Sequence, residues 1–89
     1  MPSNDMTARM YYDQGRQSYG SRDYNAACDQ FRRAVSQDPQ FVEAHRYLSE
    51  SYEKLGYRHR ARKAWEALLR ITKDPEQQDD IKKRLLSLQ

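Results

Sequence analysis

The chain has one cysteine, Cys28, so it can form no internal disulfide and no thiolate metal cluster. Its three glycines, Gly15, Gly20 and Gly56, are scattered and build no Gly-rich phosphate loop. The two histidines, His45 and His59, have no cysteine or acidic cluster to complete a metal or nucleophile site with them. There is no nucleophile elbow. No apolar run approaches membrane-spanning length, and Met1 to Arg9 lacks the apolar core of a signal peptide. No segment shows sustained strand alternation. These absences exclude an argued enzyme activity, a cofactor, a small-molecule substrate and a membrane partner. They lead to the expectation of a cytoplasmic protein.

Apolar residues are also scarce. They make up 37% of the 89 residues, and the mean hydropathy is -1.20. A compact core of this size is marginal. A stack of helical hairpins is less demanding, because each helix needs only one narrow apolar stripe. The seven tyrosines suit a thin core, since a tyrosine buries its ring and leaves its hydroxyl in water. Sixteen basic residues face thirteen acidic ones, a net charge of +3. That balance describes solvated helix faces and does not by itself imply nucleic acid.

What is present repeats. Ala27-x3-Phe31-x2-Ala34 returns as Ala61-x3-Trp65-x2-Leu68, offset by 34 residues at each position. In each copy a small residue, an aromatic and a small or aliphatic residue share one helical face. The small residue admits a neighbouring helix, and the aromatic fills the space beside it. A fixed offset in this range indicates stacked hairpins.

The periodicity predicts five helices. The first runs from Thr7 to about Gly20, with Met10, Tyr11, Gln14, Gly15 and Ser18 facing its partner. Gly15 inside a helix costs about 1 kcal/mol against Ala, and close approach of the next helix is the expected reason for it. Gly20-Ser21 is the expected turn, and Asp23 caps a second helix, Tyr24 to about Gln37. Asp38-Pro39 is expected to end that helix and start the third, with Asp as cap and Pro at the first helical position. The third helix extends to about Leu55, with Val42, His45, Leu48 and Tyr52 inward and Gly56 as its left-handed terminator. The fourth spans about Arg58 to Thr72, with Ala61, Ala64, Trp65, Leu68 and Leu69 inward. Asp74-Pro75 repeats the stop-and-start signal, and Gln77 three residues on adds a capping box. The fifth helix runs to Leu88 with one stripe, Ile81, Leu85 and Leu88, as a terminal capping helix should.

At these residues the chain resembles the tetratricopeptide repeat (TPR) family, whose pattern is W-x2-L-G-x2-Y, then A-x3-F, then P. The first copy offers Tyr11, Gln14, Gly15, Ser18, Ala27, Phe31, Ala34 and Pro39. The second offers His45, Leu48, Ser49, Tyr52, Ala61, Trp65 and Leu68. Neither copy is complete: Lys73 stands where the second proline belongs, and Pro75 follows two residues late. The resemblance implies an all-α solenoid of TPR-like helical hairpins winding as a right-handed superhelix. Its expected parts are a disordered N-terminus (1–6), repeat 1 (7–40), repeat 2 (41–74) and a C-terminal capping helix (75–89). It also implies a protein-protein interaction module or adaptor that binds a peptide on its concave groove.

In such stacks the first helix of each hairpin lines the groove. Residues off the inward stripe there are Arg9, Tyr12, Arg16 and Tyr19, then Glu43, Arg46, Glu50 and Glu53. The expected partner-binding set is Arg9, Tyr12, Arg16, Tyr19, Arg46 and Glu50, suited to a peptide with acidic and apolar residues. The same offset pairs Arg9 with Glu43 and Arg16 with Glu50, so a plain salt-bridge ladder is the alternative for these positions. The basic run Arg58, His59, Arg60, Arg62 and Lys63 reads as a solubilising outer face. A phosphate-contacting patch is its less favoured reading, because exposed aromatics for base stacking are absent from it. Two repeats are few for a solenoid, so self-assembly into a homo-oligomer is a rival function.

Overall fold

The computed structural model describes residues 3–89. It has five helices: α1 (Met6–Gly20), α2 (Tyr24–Gln37), α3 (Val42–Lys54), α4 (Arg58–Ile71) and α5 (Pro75–Ser87). Among the described residues there is no strand. Each helix packs against the next in sequence, and α1 also approaches α3. This is an all-α arrangement of helical hairpins.

The 34-residue offset is structural. Ala27, Phe31 and Ala34 on α2, and Ala61, Trp65 and Leu68 on α4, are all 0% exposed. The turns repeat as well. At the end of α1 the Asp23 N–H donates to the Ser18 carbonyl and Arg22 N–H to that of Tyr19. At the end of α3 Tyr57 N–H donates to Tyr52 and Gly56 N–H to Glu53. Both are Schellman closures, which need one residue with positive φ just past the helix. That residue is Gly56 (φ 77) in one turn and Arg22 (φ 63) in the other. The sequence pointed to Gly20-Ser21, but the left-handed position falls on Arg22.

Gly15 has the packing reason expected of it. A Cβ there would lie 2.6–2.9 Å from three ring atoms of Phe31. Tyr11, half-buried against the core, and Ser18, which donates to Gln30 of α2 at 2.7 Å, also face inward as expected, but Met10 and Gln14 do not. Met10 is 47% exposed, and Gln14 is also exposed, while Ala8 is buried and Tyr12 and Tyr19 are half-buried. The two tyrosine rings find aromatic neighbours on both α2 and α3. The Met10–Gln14 flank faces no helix, because α1 stands at the end of the stack.

Asp38-Pro39 does not start α3. Asp38 closes α2 by donating its N–H to Ala34, and its carboxylate accepts from Gln40 N–H at 3.1 Å. The helix begins only at Val42. The reason is Phe41, 2% exposed and packed with Ala8, Ala34 and Ala44; placing its ring requires the chain to turn before it becomes helical. Asp74-Pro75 behaves as expected: the Asp74 carboxylate accepts from Gln77 N–H at 3.1 Å, with Pro75 in the first helical turn.

At the N-terminus the expected disordered stretch 1–6 includes Met1 and Pro2, which lie outside the described residues. Within it, Asp5 caps α1 by accepting from Ala8 N–H at 2.8 Å, and Ser3 is buried. At the other end, Ile81 of α5 is 0% exposed in the same core cluster as Trp65. Among the described residues no helix is long and apolar enough to cross a membrane.

Candidate functional site

The odd-numbered helices form one face of the stack. A groove of about 360 Å³ runs along it, lined by Tyr19 of α1, by Glu50, Glu53 and Lys54 of α3, and by Arg84 of α5. An adjoining cleft is lined by Arg46, Asp80, Lys83, Arg84 and Ser87. Both depend on α5 standing beside α3.

Behind the groove lies an aromatic cluster. Tyr47, which sequence reasoning left unassigned, is at its centre. Its ring stacks on Phe31 at 5.3 Å between centroids and meets Tyr12 at 5.9 Å and Tyr19 at 5.4 Å. Tyr12 also packs on Phe41 at 4.8 Å. Burial raises the pKa values of Tyr12 and Tyr19 above the ordinary tyrosine value. These two tyrosines are therefore partly built into the wall, and of the two it is Tyr19 that lines the groove. The one signal for Tyr47 was its place beside Leu48 on the inward stripe.

The arginines are held on rings. The Arg16 guanidinium lies 5.8 Å from the Tyr12 centroid and 5.9 Å from that of Tyr47. Arg46 and Arg84 lie 5.7 and 5.2 Å from the centroid of Trp65. Such cation–π contacts restrict a long side chain while leaving its charge available. The indole Nε1 of Trp65 donates to Glu53 Oε2 at 2.6 Å. Arg84 reaches the same Glu53 at 3.5 Å and Glu50 at 3.9 Å.

The salt-bridge ladder does not form at Arg16: Glu50 pairs with Arg84 of α5, while Arg16 stays over the two tyrosine rings. A cation shared between two rings competes well with an exposed ion pair, itself worth about 0–1 kcal/mol. Of the six expected site residues, Tyr12, Arg16 and Tyr19 come together around Tyr47, and Arg46 and Glu50 come together around Arg84. Arg9 is apart from both groups and borders Met6, Met10, Asp13, Gln14 and Gln17 on the outer flank of α1. Arg84 and Lys83 were missed because α5 read only as a cover for the core. No sequence spacing connects residue 84 to residues 50 and 53.

Two titratable groups away from this face, His45 and Cys28, are packed. His45 is buried, and its Nε2 lies 2.9 Å from the Pro39 carbonyl. The carbonyl can only accept, so Nε2 carries the proton. Burial pushes the Cys28 thiol up to about 11, against the pull of Arg32 and Arg60. Among the described residues, no three His, Cys, Asp or Glu side chains are grouped to hold a metal ion. Compared with protein-family models and with curated proteins, the chain gives no match.

Proposed function

We propose that the chain is a protein-protein interaction module of the tetratricopeptide-repeat type, binding an extended peptide segment of a partner along the face of α1, α3 and α5. The supporting observation is a helical face on which α1, α3 and α5 present cations held over aromatic rings: Arg16 over Tyr12 and Tyr47, and Arg46 and Arg84, which line the cleft, over Trp65. Such side chains have already lost much of their freedom, so binding orders them at little further cost. Glu50 and Glu53 neutralise part of the charge, so the affinity expected is modest, on the order of micromolar. The favoured ligand has carboxylates for Arg16 and Arg46 and an apolar side chain for the edges of Tyr12 and Tyr19.

A panel of acidic, apolar, unstructured peptides titrated into the labelled protein tests this, followed by backbone amide shifts. Shifts should centre on Tyr12, Arg16, Tyr19, Arg46 and Glu50. Arg16→Glu together with Arg46→Glu should weaken binding at least tenfold, and Arg62→Glu should leave it unchanged. If no peptide moves these amides, the proposal fails.

A second reading is self-association through the outer flank of α1. It is favoured by Met6 at 85% and Met10 at 47% exposure on that flank. Sedimentation equilibrium at several concentrations separates the two: self-association predicts a dimer that Met6→Glu with Met10→Glu dissolves.

A further inference from the structure

The opposite face carries a second groove. The backbones of α2 and α4 do not approach within 8 Å of each other. The gap between them is floored by α3. Arg32 and Val35 of α2, His45, Leu48 and Tyr52 of α3, and Arg60, Lys63, Ala64 and Ala67 of α4 line a space of about 490 Å³.

Part of the buried core surfaces there. Among the described residues, the buried hydrophobic side chains are 0–2% exposed, with four exceptions: Cys28 and Leu48 at 6%, Tyr52 and Ala64 at 8%. Leu48, Tyr52 and Ala64 line the groove. Cys28 belongs to the same buried cluster as these three. Val35 and Ala67 add half-exposed apolar walls. The floor is therefore a short, mostly apolar strip between the edges of α2 and α4, with His45 as its polar member.

The rim has one sign of charge. Arg32, Arg60 and Lys63 stand around the strip, and no carboxylate lines it. Asp29 holds Arg32 from one side at 3.3 Å, but it also pairs with Arg33 and is not part of the groove. Arg58 and Arg62 of the basic run are engaged elsewhere: Arg58 donates to the Gln89 carbonyl, and Arg62 is hydrogen-bonded with His59, while Arg60 lies 5.4 Å from the centroid of the Tyr57 ring. The run Arg58–Lys63 thus divides, and only Arg60 and Lys63 serve the groove.

We propose that this groove is a second docking surface, taking an acidic amphipathic helix of a partner protein. A helix lays an i, i+3, i+4, i+7 stripe into a channel of this kind. The lining residues of α4 run from Arg60 to Ala67, about two helical turns. A ligand stripe of Leu or Met reaches Leu48, Tyr52 and Ala64, and flanking Glu side chains meet Arg32 on one rim and Arg60 and Lys63 on the other. Nucleic acid fits less well, because its phosphates require cations where this groove has an apolar floor. This surface is separate from the α1, α3 and α5 face, and its test does not depend on that one.

The probe is an amidated peptide of about 14 residues, with Leu at i, i+4 and i+7 and Glu on both flanks of the stripe. Titrated into the labelled full chain, it should shift amides of residues 32–35, 45–52 and 60–67. Arg60→Glu with Lys63→Glu, both at exposed positions, should weaken it at least tenfold. Ala67→Glu, which sets a carboxylate into the wall, should do the same, while Arg16→Glu with Arg46→Glu should not. Replacing the peptide's Glu residues by Lys should abolish binding. The proposal is overturned by any of these results: no shift at millimolar peptide, shifts confined to the α1, α3 and α5 face, equal binding of the Lys peptide, or a single-stranded oligonucleotide that outcompetes the peptide through Arg60 and Lys63.

Discussion

His45 stands where the two hairpins join. Its ring is buried on α3, yet it holds the Pro39 carbonyl in the α2–α3 turn at 2.9 Å. Burial is the larger effect on its proton and lowers its pKa; the Pro39 hydrogen bond and Asp38 oppose the shift. In the unfolded chain a histidine titrates near about 6.5. Below that value the unfolded state binds a proton that the folded state resists, so stability is complete above it and falls as the pH drops toward the folded value. The expected outcome is a melting temperature that declines from pH 7.5 to pH 5.5, with His45→Gln flattening that decline. Thermal melts across the range check it, and an unchanged slope in the variant would show that His45 is not the group responsible. At the alkaline end Tyr12, Tyr19 and Tyr52, all raised by burial, work in the other direction. Their contribution is present below about pH 10 and is lost as the pH rises past it.

Among the elements, the two Schellman turns form a natural comparison. They close with the same hydrogen bonds, but one has glycine at the left-handed position and the other has Arg22. A left-handed conformation costs a non-glycine residue about 1–2 kcal/mol, and glycine gives back about 0.5–1 through its freer unfolded chain. Arg22→Gly is therefore expected to stabilise the domain by about 0.5–1 kcal/mol, a rise of about 2–8 °C in melting temperature at this size. Calorimetry of the single variant decides it; a lower melting temperature would mean that the Arg22 side chain contributes more than its backbone costs. The two Asp-Pro dipeptides make the complementary point. Their local chemistry is the same, but Asp74 caps a helix while Asp38 closes one. The difference is Phe41, whose ring has to reach Ala8 and Ala34.

Taken whole, the molecule is closed by α5. Ile81 shares the core cluster with Trp65 and Leu68, and Arg84 crosses to Glu50 and Glu53 on α3. Ending the chain after Lys73 removes all of these contacts. Burial of Ile81 alone is worth about 1.5–3 kcal/mol, and a domain this small has about 5–15 kcal/mol in total. The truncated chain should melt well below the full one and expose the indole of Trp65, the single tryptophan. Red-shifted tryptophan emission together with a lowered melting temperature is the expected result. Unchanged emission and stability would show that α5 is dispensable.

How many helices there are, where most of them end, and which residues fill the centre were legible without coordinates. Ala27, Phe31, Ala34, Ala61, Trp65 and Leu68 repeat at one offset, and each helix needs one apolar stripe, so periodicity alone assigns them. Asp23, Gly56 and Asp74 are local signals, because caps and left-handed turns are satisfied within a few residues. The orientation of α1 was not legible. Met10 and Tyr12 are both apolar enough to face inward, and only the positions of Phe31, Phe41 and Tyr47 on other helices decide between them. The composition of the grooves was legible only in part, at Tyr19, Arg46 and Glu50. Arg84 joins Glu50 and Glu53 across more than thirty residues, and Arg60 and Lys63 are separated from Arg58 and Arg62 only by the direction each takes from α4. Helix periodicity is a property of neighbours along the chain. The choice of partner across a groove depends on how one helix is rotated against the next, and that rotation is set by packing of the whole core.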